Sequence, residues 1–182
     1  MFIQTERTPN PATLKFLPGV PVMPSGTANY AAADEVQNSP LATGLFGVEG
    51  ITGVFLGADF ITVTKMDDKD WDTMKPQILG AIMEHFQSGQ AVIEDDASAP
   101  TDDGALDGIA MQIKELIDTR VRPAVAQDGG DIVYKGFEDG VVYLHMQGAC
   151  AGCPSSTATL KNGIENMLRH YIPEVTEVRA IN

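Results

Sequence analysis

The stretch whose reading decides the fold is Val141–Leu160, "VVYLHMQGACAGCPSSTATL". It opens as a strand rich in β-branched and aromatic residues, Val141 to Gln147. A turn of small residues follows and holds the only two cysteines of the chain, Cys150 and Cys153. Pro154 comes next. Proline has no N–H to donate and a backbone φ already set for a helix, so it suits a first helical turn, with Cys153 as the N-cap. Leu160, Ile164, Leu168 and Tyr171 then recur on one apolar helix face, which Pro173 ends. The thiols are thus expected where a strand gives way to a helix N-terminus.

Upstream, "DIVYKGF" is a second strand, joined to the first across Glu138-Asp139-Gly140, a hairpin signal. Before it, Leu106, Ile109, Ala110, Ile113, Leu116, Ile117, Val121 and Val125 line one face of a long helix. Pro123 is expected to kink that helix and Gly129-Gly130 to end it. "EVTEVRAI" supplies a last strand. This order puts helices on one side of a small mixed sheet and defines a domain over residues 105–182.

In front of that domain, Glu94, Asp95, Asp96, Asp102 and Asp103 crowd among small residues and Pro100. So few apolar side chains do not offset the entropy of ordering the chain, and residues 89–104 are predicted to be a flexible acidic linker. Residues 1–88 form the other domain. Strands are expected at Phe2–Glu6 and Thr13–Leu17, a helix from Ser39-Pro40 through Phe46, and a hairpin with arms Ile51–Leu56 and Phe60–Thr64. A further helix presents Met74, Ile78, Ile82 and Phe86, starting close before Pro76. The fold class is therefore α+β: two small two-layer α/β domains joined by a flexible acidic linker.

The 182 residues carry a net charge of −13, which argues against nucleic acid or anionic lipid as a partner. No apolar run reaches the length of a membrane span, and "MFIQTERTPNP" lacks the pattern of a secretory signal. A cytoplasmic setting is expected, or the mitochondrial matrix for a processed eukaryotic form.

The chemistry lies in Cys150 and Cys153. Gly148, Ala149, Ala151 and Gly152 let backbone N–H groups approach the sulfurs and leave the loop low-walled. A thioredoxin-type pair starts its helix at the first cysteine, whereas this helix starts after the second. Zinc or a cuboidal iron–sulfur cluster takes four protein ligands, and one chain offers two thiols. His145, His170 and His85 lie at a strand, at a far helix end and in the other domain, and do not complete the set. A second copy of the chain would complete it, because a two-fold dimer presents the same patch twice. A redox dithiol and a zinc-bridged interaction module remain as alternatives. "DGGD", Asp128–Asp131, is first a helix-ending turn in need of glycine; its second reading is a corner folded beside the cysteine loop.

"DGGDIVYKGFEDGVVYLHMQGACAGCPSSTATLKNGIENMLRHYIPEV" resembles the C-terminal domain of NifU-like proteins, the Nfu-type iron–sulfur carriers. "TPNPATLKFLPG" and the "DW…KPQILGAIMEHF" segment resemble the N-terminal domain of the same proteins. The resemblance implies that Cys150 and Cys153 are the ligands to iron and that the two cysteines of each of two chains share one [4Fe-4S] cluster. It also implies a homodimer formed on cluster binding, upstream cluster-assembly proteins as donors, and delivery to client apo-proteins. No catalytic residues are implied, and the chain is expected not to be an enzyme.

Overall fold

A computed structural model of the chain describes residues 1–24, 26–94, 108–151 and 154–181. The chain divides into two units, Met1–Ala97 and Ser98–Asn182. Both combine helices with a sheet, as the α+β expectation requires. Residues 95–104 of the expected linker, the 105–107 start of the second domain, Gly152 and Cys153 lie outside the described residues. No helix among the described residues is long and apolar enough to cross a membrane.

The first unit is built on β1 (Gln4–Arg7), β2 (Thr13–Leu17), β3 (Ala28–Tyr30), β4 (Ile51–Leu56) and β5 (Ile61–Lys65). They form a five-stranded sheet in the order β1-β2-β5-β4-β3, with every neighbouring pair antiparallel. Two helices pack with it: α1 (Pro40–Phe46) and α2 (Trp71–Ser88). Ser39 starts α1 as an N-cap, its Oγ accepting the Ala42 N–H at 3.2 Å. Phe16, Leu41, Leu45, Leu56, Ile61, Ile78 and Ile82 fill the core.

Several expectations shift here. The first strand runs Gln4–Arg7 instead of Phe2–Glu6, and Phe2 stands exposed. The second hairpin arm begins at Ile61, one residue late. On α2 the deeply buried face is Met74, Ile78, Ile82 and His85, while Phe86 is only partly buried against the core. The chain after α2 also departs from the expected linker. Gly89 caps α2 in the left-handed region (φ 72°). Val92 and Ile93 then pack on the core. The Ser39 hydroxyl donates to the Val92 carbonyl at 2.6 Å, and the Glu94 N–H donates to the Asn38 carbonyl at 2.7 Å. Residues 90–94 are therefore a strap on the first unit, because two apolar side chains and two backbone groups find partners there.

The second unit contains α3 (Gly108–Leu116), a wide π turn (Ile117–Val121), α4 (Arg122–Gln127), β6 (Gly130–Glu138), β7 (Val141–Gly148), α5 (Pro154–Tyr171) and β8 (Glu177–Ile181). The expected kink at Pro123 takes the form of the π turn. A proline ring collides with the carbonyl four residues back in a regular helix. Here the Arg122 N–H reaches the Ile117 carbonyl five residues back, which widens the turn and makes the room.

The sheet order is β6-β7-β8, antiparallel then parallel, so the sheet is mixed as expected. Asp139 (φ 50°) and Gly140 (φ 79°) turn the hairpin with the two positive φ values of a type I′ turn. Ile113, Ile117, Ile132, Val142, Leu144, Leu168 and Val178 form the core. Tyr171, expected on the apolar face of α5, is 49% exposed, and the Arg120 guanidinium lies over its ring, 5.1 Å from the centroid.

Candidate metal centre

The cysteine turn closes the open end of the β6–β7 hairpin. Gly130, the first residue of β6, pairs with Gly148, the last of β7, and Asp131 pairs with Gln147. Beyond the ladder the Ala149 N–H donates to the Gly129 carbonyl at 3.2 Å, so the turn leaving β7 is tied to the turn entering β6. Gly148 takes a positive φ of 63°, and the Ala151 N–H bonds back to its carbonyl at 3.1 Å. On the far side, the Thr157 hydroxyl from the start of α5 donates to the Cys150 carbonyl at 3.3 Å. Three elements thus fix the backbone of Cys150: the β6 corner, the end of β7 and the first turns of α5.

The Cys150 side chain faces inward. The residue is 7% exposed and belongs to the core of the second unit, with Ala149 beside it at 2%. Gly130 is what makes this possible. A methyl group on its α-carbon would overlap the Cys150 sulfur and come within 2.9 Å of the Cys150 nitrogen. Gly129 serves the other purpose of the "DGGD" turn, with a φ of 79° that few side chains tolerate. Both readings of that motif hold, on adjacent residues.

Asp131, the acidic residue after the glycines, does not turn its charge on the sulfur unopposed. Asp131 is 4% exposed, and the Arg122 guanidinium meets it in a two-pronged pair: Nε to Oδ1 at 2.8 Å and Nη2 to Oδ2 at 2.9 Å. Its Oδ1 also accepts the Ile132 N–H at 2.8 Å. Arg122 reaches Asp118 as well, at 3.4 Å. The Asp131 carboxylate, foremost through its hydrogen bonds, holds the Arg122 guanidinium still more firmly protonated than usual. Nothing in hydrophobic periodicity pointed to this pair, since it joins the start of α4 to the start of β6 across the "DGGD" turn.

The histidines stand apart from Cys150 in their contacts. His145 Nδ1 lies 3.2 Å from the Ile181 carbonyl of β8. His170 meets the Tyr171 ring edge-on near the end of α5. His85 is buried in the first unit. Among the described residues, no group of three His, Cys, Asp or Glu side chains could hold a metal ion. Cys150 is the only thiol described; Cys153, the other expected ligand, lies outside the described residues. With two cysteines per chain, four-thiolate coordination is unattainable within one copy. Among the described residues, the glycine corner, the end of β7 and the start of α5 bring one thiol, Cys150, to the open end of the hairpin.

Comparison with known proteins adds to this geometry. Residues 3–89 match the family model described as "Scaffold protein Nfu/NifU N terminal", and residues 113–179 match the "NifU-like domain". The chain is 52% identical over 185 residues to an Arabidopsis thaliana protein named NifU-like protein 4, mitochondrial. That match covers 98% of this chain and 65% of the relative. It is 51% identical over 183 residues to a human protein named NFU1 iron-sulfur cluster scaffold homolog, mitochondrial, covering all of this chain and 72% of the relative. A solution structure of a NifU-like protein from Saccharomyces cerevisiae is similar at 28% identity with a TM-score of 0.48, over 53% of this chain and 87% of that one.

Proposed function

The chain belongs to the Nfu/NifU family of scaffold proteins, and from that premise we propose that it carries an iron–sulfur cluster as cargo and delivers it to apo-proteins. Cys150 and Cys153 are the ligands, and two chains contribute their pairs to one [4Fe-4S] cluster, so that cluster binding makes the homodimer. The observation carrying this reading is the cysteine turn itself: a thiol held at the open end of a hairpin, in a chain with only two thiols to offer. Half a site on each of two copies satisfies the four-ligand rule without any other residue.

Delivery follows as ligand exchange at iron. A client thiol gives up its proton and binds iron, one of the carrier's cysteine thiolates leaves and takes up a proton, and no electrons change hands. A cargo split between two chains is released stepwise, one thiolate at a time. No step requires a catalytic residue, in keeping with a scaffold. The relatives' mitochondrial names support the mitochondrial-matrix alternative for the compartment. In the proposed division of labour, residues 1–88 with the strap through residue 94 serve client choice, the remainder of the expected acidic linker 89–104 gives reach, and residues 105–182 hold the cargo.

Anaerobic reconstitution with iron and sulfide tests the reading. The expected result is about two irons and two sulfides per chain with a doubling of mass, as one four-iron cluster per dimer requires. Cys150→Ser or Cys153→Ser should each abolish both. A monomer that stays free of iron while reducing disulfides would establish the redox alternative. One zinc per two chains, with no cluster formed and no transfer to any client, would establish the zinc-bridged one.

A further inference from the structure

A thiol that is 7% exposed cannot reach a second chain without leaving its seat. What decides how easily it leaves is the wall behind it. Gly130 is that wall, in contact with both the sulfur and the amide of Cys150. Gly130 is covalently next to Asp131, whose carboxylate is fixed to Arg122 by two parallel bonds and to the Ile132 N–H by a third. Arg122 is itself set by the π turn, where its own N–H is bonded to the Ile117 carbonyl. The mechanical chain therefore runs from the π turn through Arg122, Asp131 and Gly130 to the sulfur. Arg122 has a second effect. Asp131 is a buried carboxylate beside a site whose thiolates and cargo are anionic, and a buried charge without its partner is strongly unfavourable.

We propose that Arg122 is a positioning residue for the Cys150 thiol: acting through Asp131 and Gly130, it keeps the thiol seated in the core of the cluster-free chain and sets how readily the Gly148–Ala151 turn opens to present it. The proposal deepens the cargo reading above and rests on it for the purpose of the opening, although not for its measurement. It makes loading a two-step event, release of the thiol and then ligation. It also means that the seated thiol is sheltered from alkylating and oxidising agents between loads.

The test uses the full chain carrying Cys153→Ser, so that Cys150 is the single thiol, and reads alkylation by iodoacetamide with no metal present. In the folded protein the rate should be about a hundredfold below that in denaturant, the protection of a group that reacts only through local opening. Arg122→Gln should raise the folded-state rate about tenfold while circular dichroism stays native, and Arg122→Lys, which keeps the charge but not the fork, should fall between the two.

The dependence of the rate on low denaturant separates positioning from plain destabilisation. Local opening exposes little surface and gives a shallow slope, whereas global unfolding gives the full one. Should Arg122→Gln fail to fold, the Arg122→Lys comparison carries the test. An unchanged rate in a folded Arg122→Gln protein overturns the proposal, as does a steep global slope or a parent thiol that reacts as fast as in denaturant. Failure of the unsubstituted chain, with both cysteines, to take up iron and sulfide would sink the cargo reading while leaving the thiol-protection result intact.

Discussion

Gly130 and Cys150 meet at the open end of the β6–β7 hairpin with no room for a side chain between them. The sulfur occupies the space a Cβ would need, and the Gln147 carbonyl lies 3.0 Å from the same point. Gly130→Ala must therefore push out the Cys150 side chain or part the ladder. The expected cost to the second unit is about 1–3 kcal/mol, the usual range for overpacking a filled core. Iron content after reconstitution should fall along with the denaturation midpoint. A Gly130→Ala protein with parental stability and parental iron content would show that Cys150 does not need this seat.

Burial makes the usual serine substitution an incomplete control. Cys150→Ser places a hydroxyl in a mainly apolar seat, at an expected cost of about 1–2 kcal/mol where its new hydrogen bonds are imperfect. Cys150→Ala loses the ligand without adding a polar group. Both should lack the cluster, and the alanine variant should have the higher unfolding midpoint in urea. If the serine variant were as stable as the parent, the seat would be more polar than its packing indicates.

How much of this was legible in the sequence depends on how local each cause is. Ser39-Pro40, Asp139-Gly140 and the helix start at Pro154 were read correctly because cap and turn chemistry involve only a few neighbouring residues. β3 escaped notice because Ala28–Tyr30 is too short for alternation to register. The strap was read as linker because Glu94 and the acidic residues that follow it outweighed Val92 and Ile93, whose partners are distant in sequence. Of the site, the thiol pair stood out from spacing and composition. The reason for glycine at position 130 did not, since the atom that demands it is twenty residues away in the turn after β7. The Arg122–Asp131 pair is likewise invisible until the turn between α4 and β6 is folded.

Ser39 joins the strap to the body of the first unit, accepting from Ala42 and donating to Val92 with the same oxygen. Ser39→Ala removes an N-cap and leaves the part-buried Val92 carbonyl without the Ser39 donor. The expected loss is about 1–3 kcal/mol in the first unit. Trp71, the only tryptophan of the chain, belongs to this unit and makes its fluorescence a selective probe. Limited proteolysis should cut within residues 90–94 sooner in the variant than in the parent. Equal cutting rates would mean that Val92 and Ile93 hold the strap without the hydroxyl.

His85 gives the first unit a pH dependence of defined sign. It is 7% exposed, its Nε2 has no hydrogen-bond partner among the described residues, and desolvation lowers its pKa below the ordinary 6.5. The unfolded chain then binds a proton more readily than the folded one. The stability this provides is fully present above about pH 6.5 and is lost as the pH falls below it towards the folded-state value. Thermal melts followed by Trp71 fluorescence should move to lower temperature between pH 7.5 and pH 5.5. Carboxylates contribute their own slope, so the decisive quantity is the difference from His85→Phe, which cannot take up the proton and should lose less stability over the same interval. A variant with a slope as steep as the parent's would mean that water reaches the imidazole freely enough to charge it without unfolding the helix end.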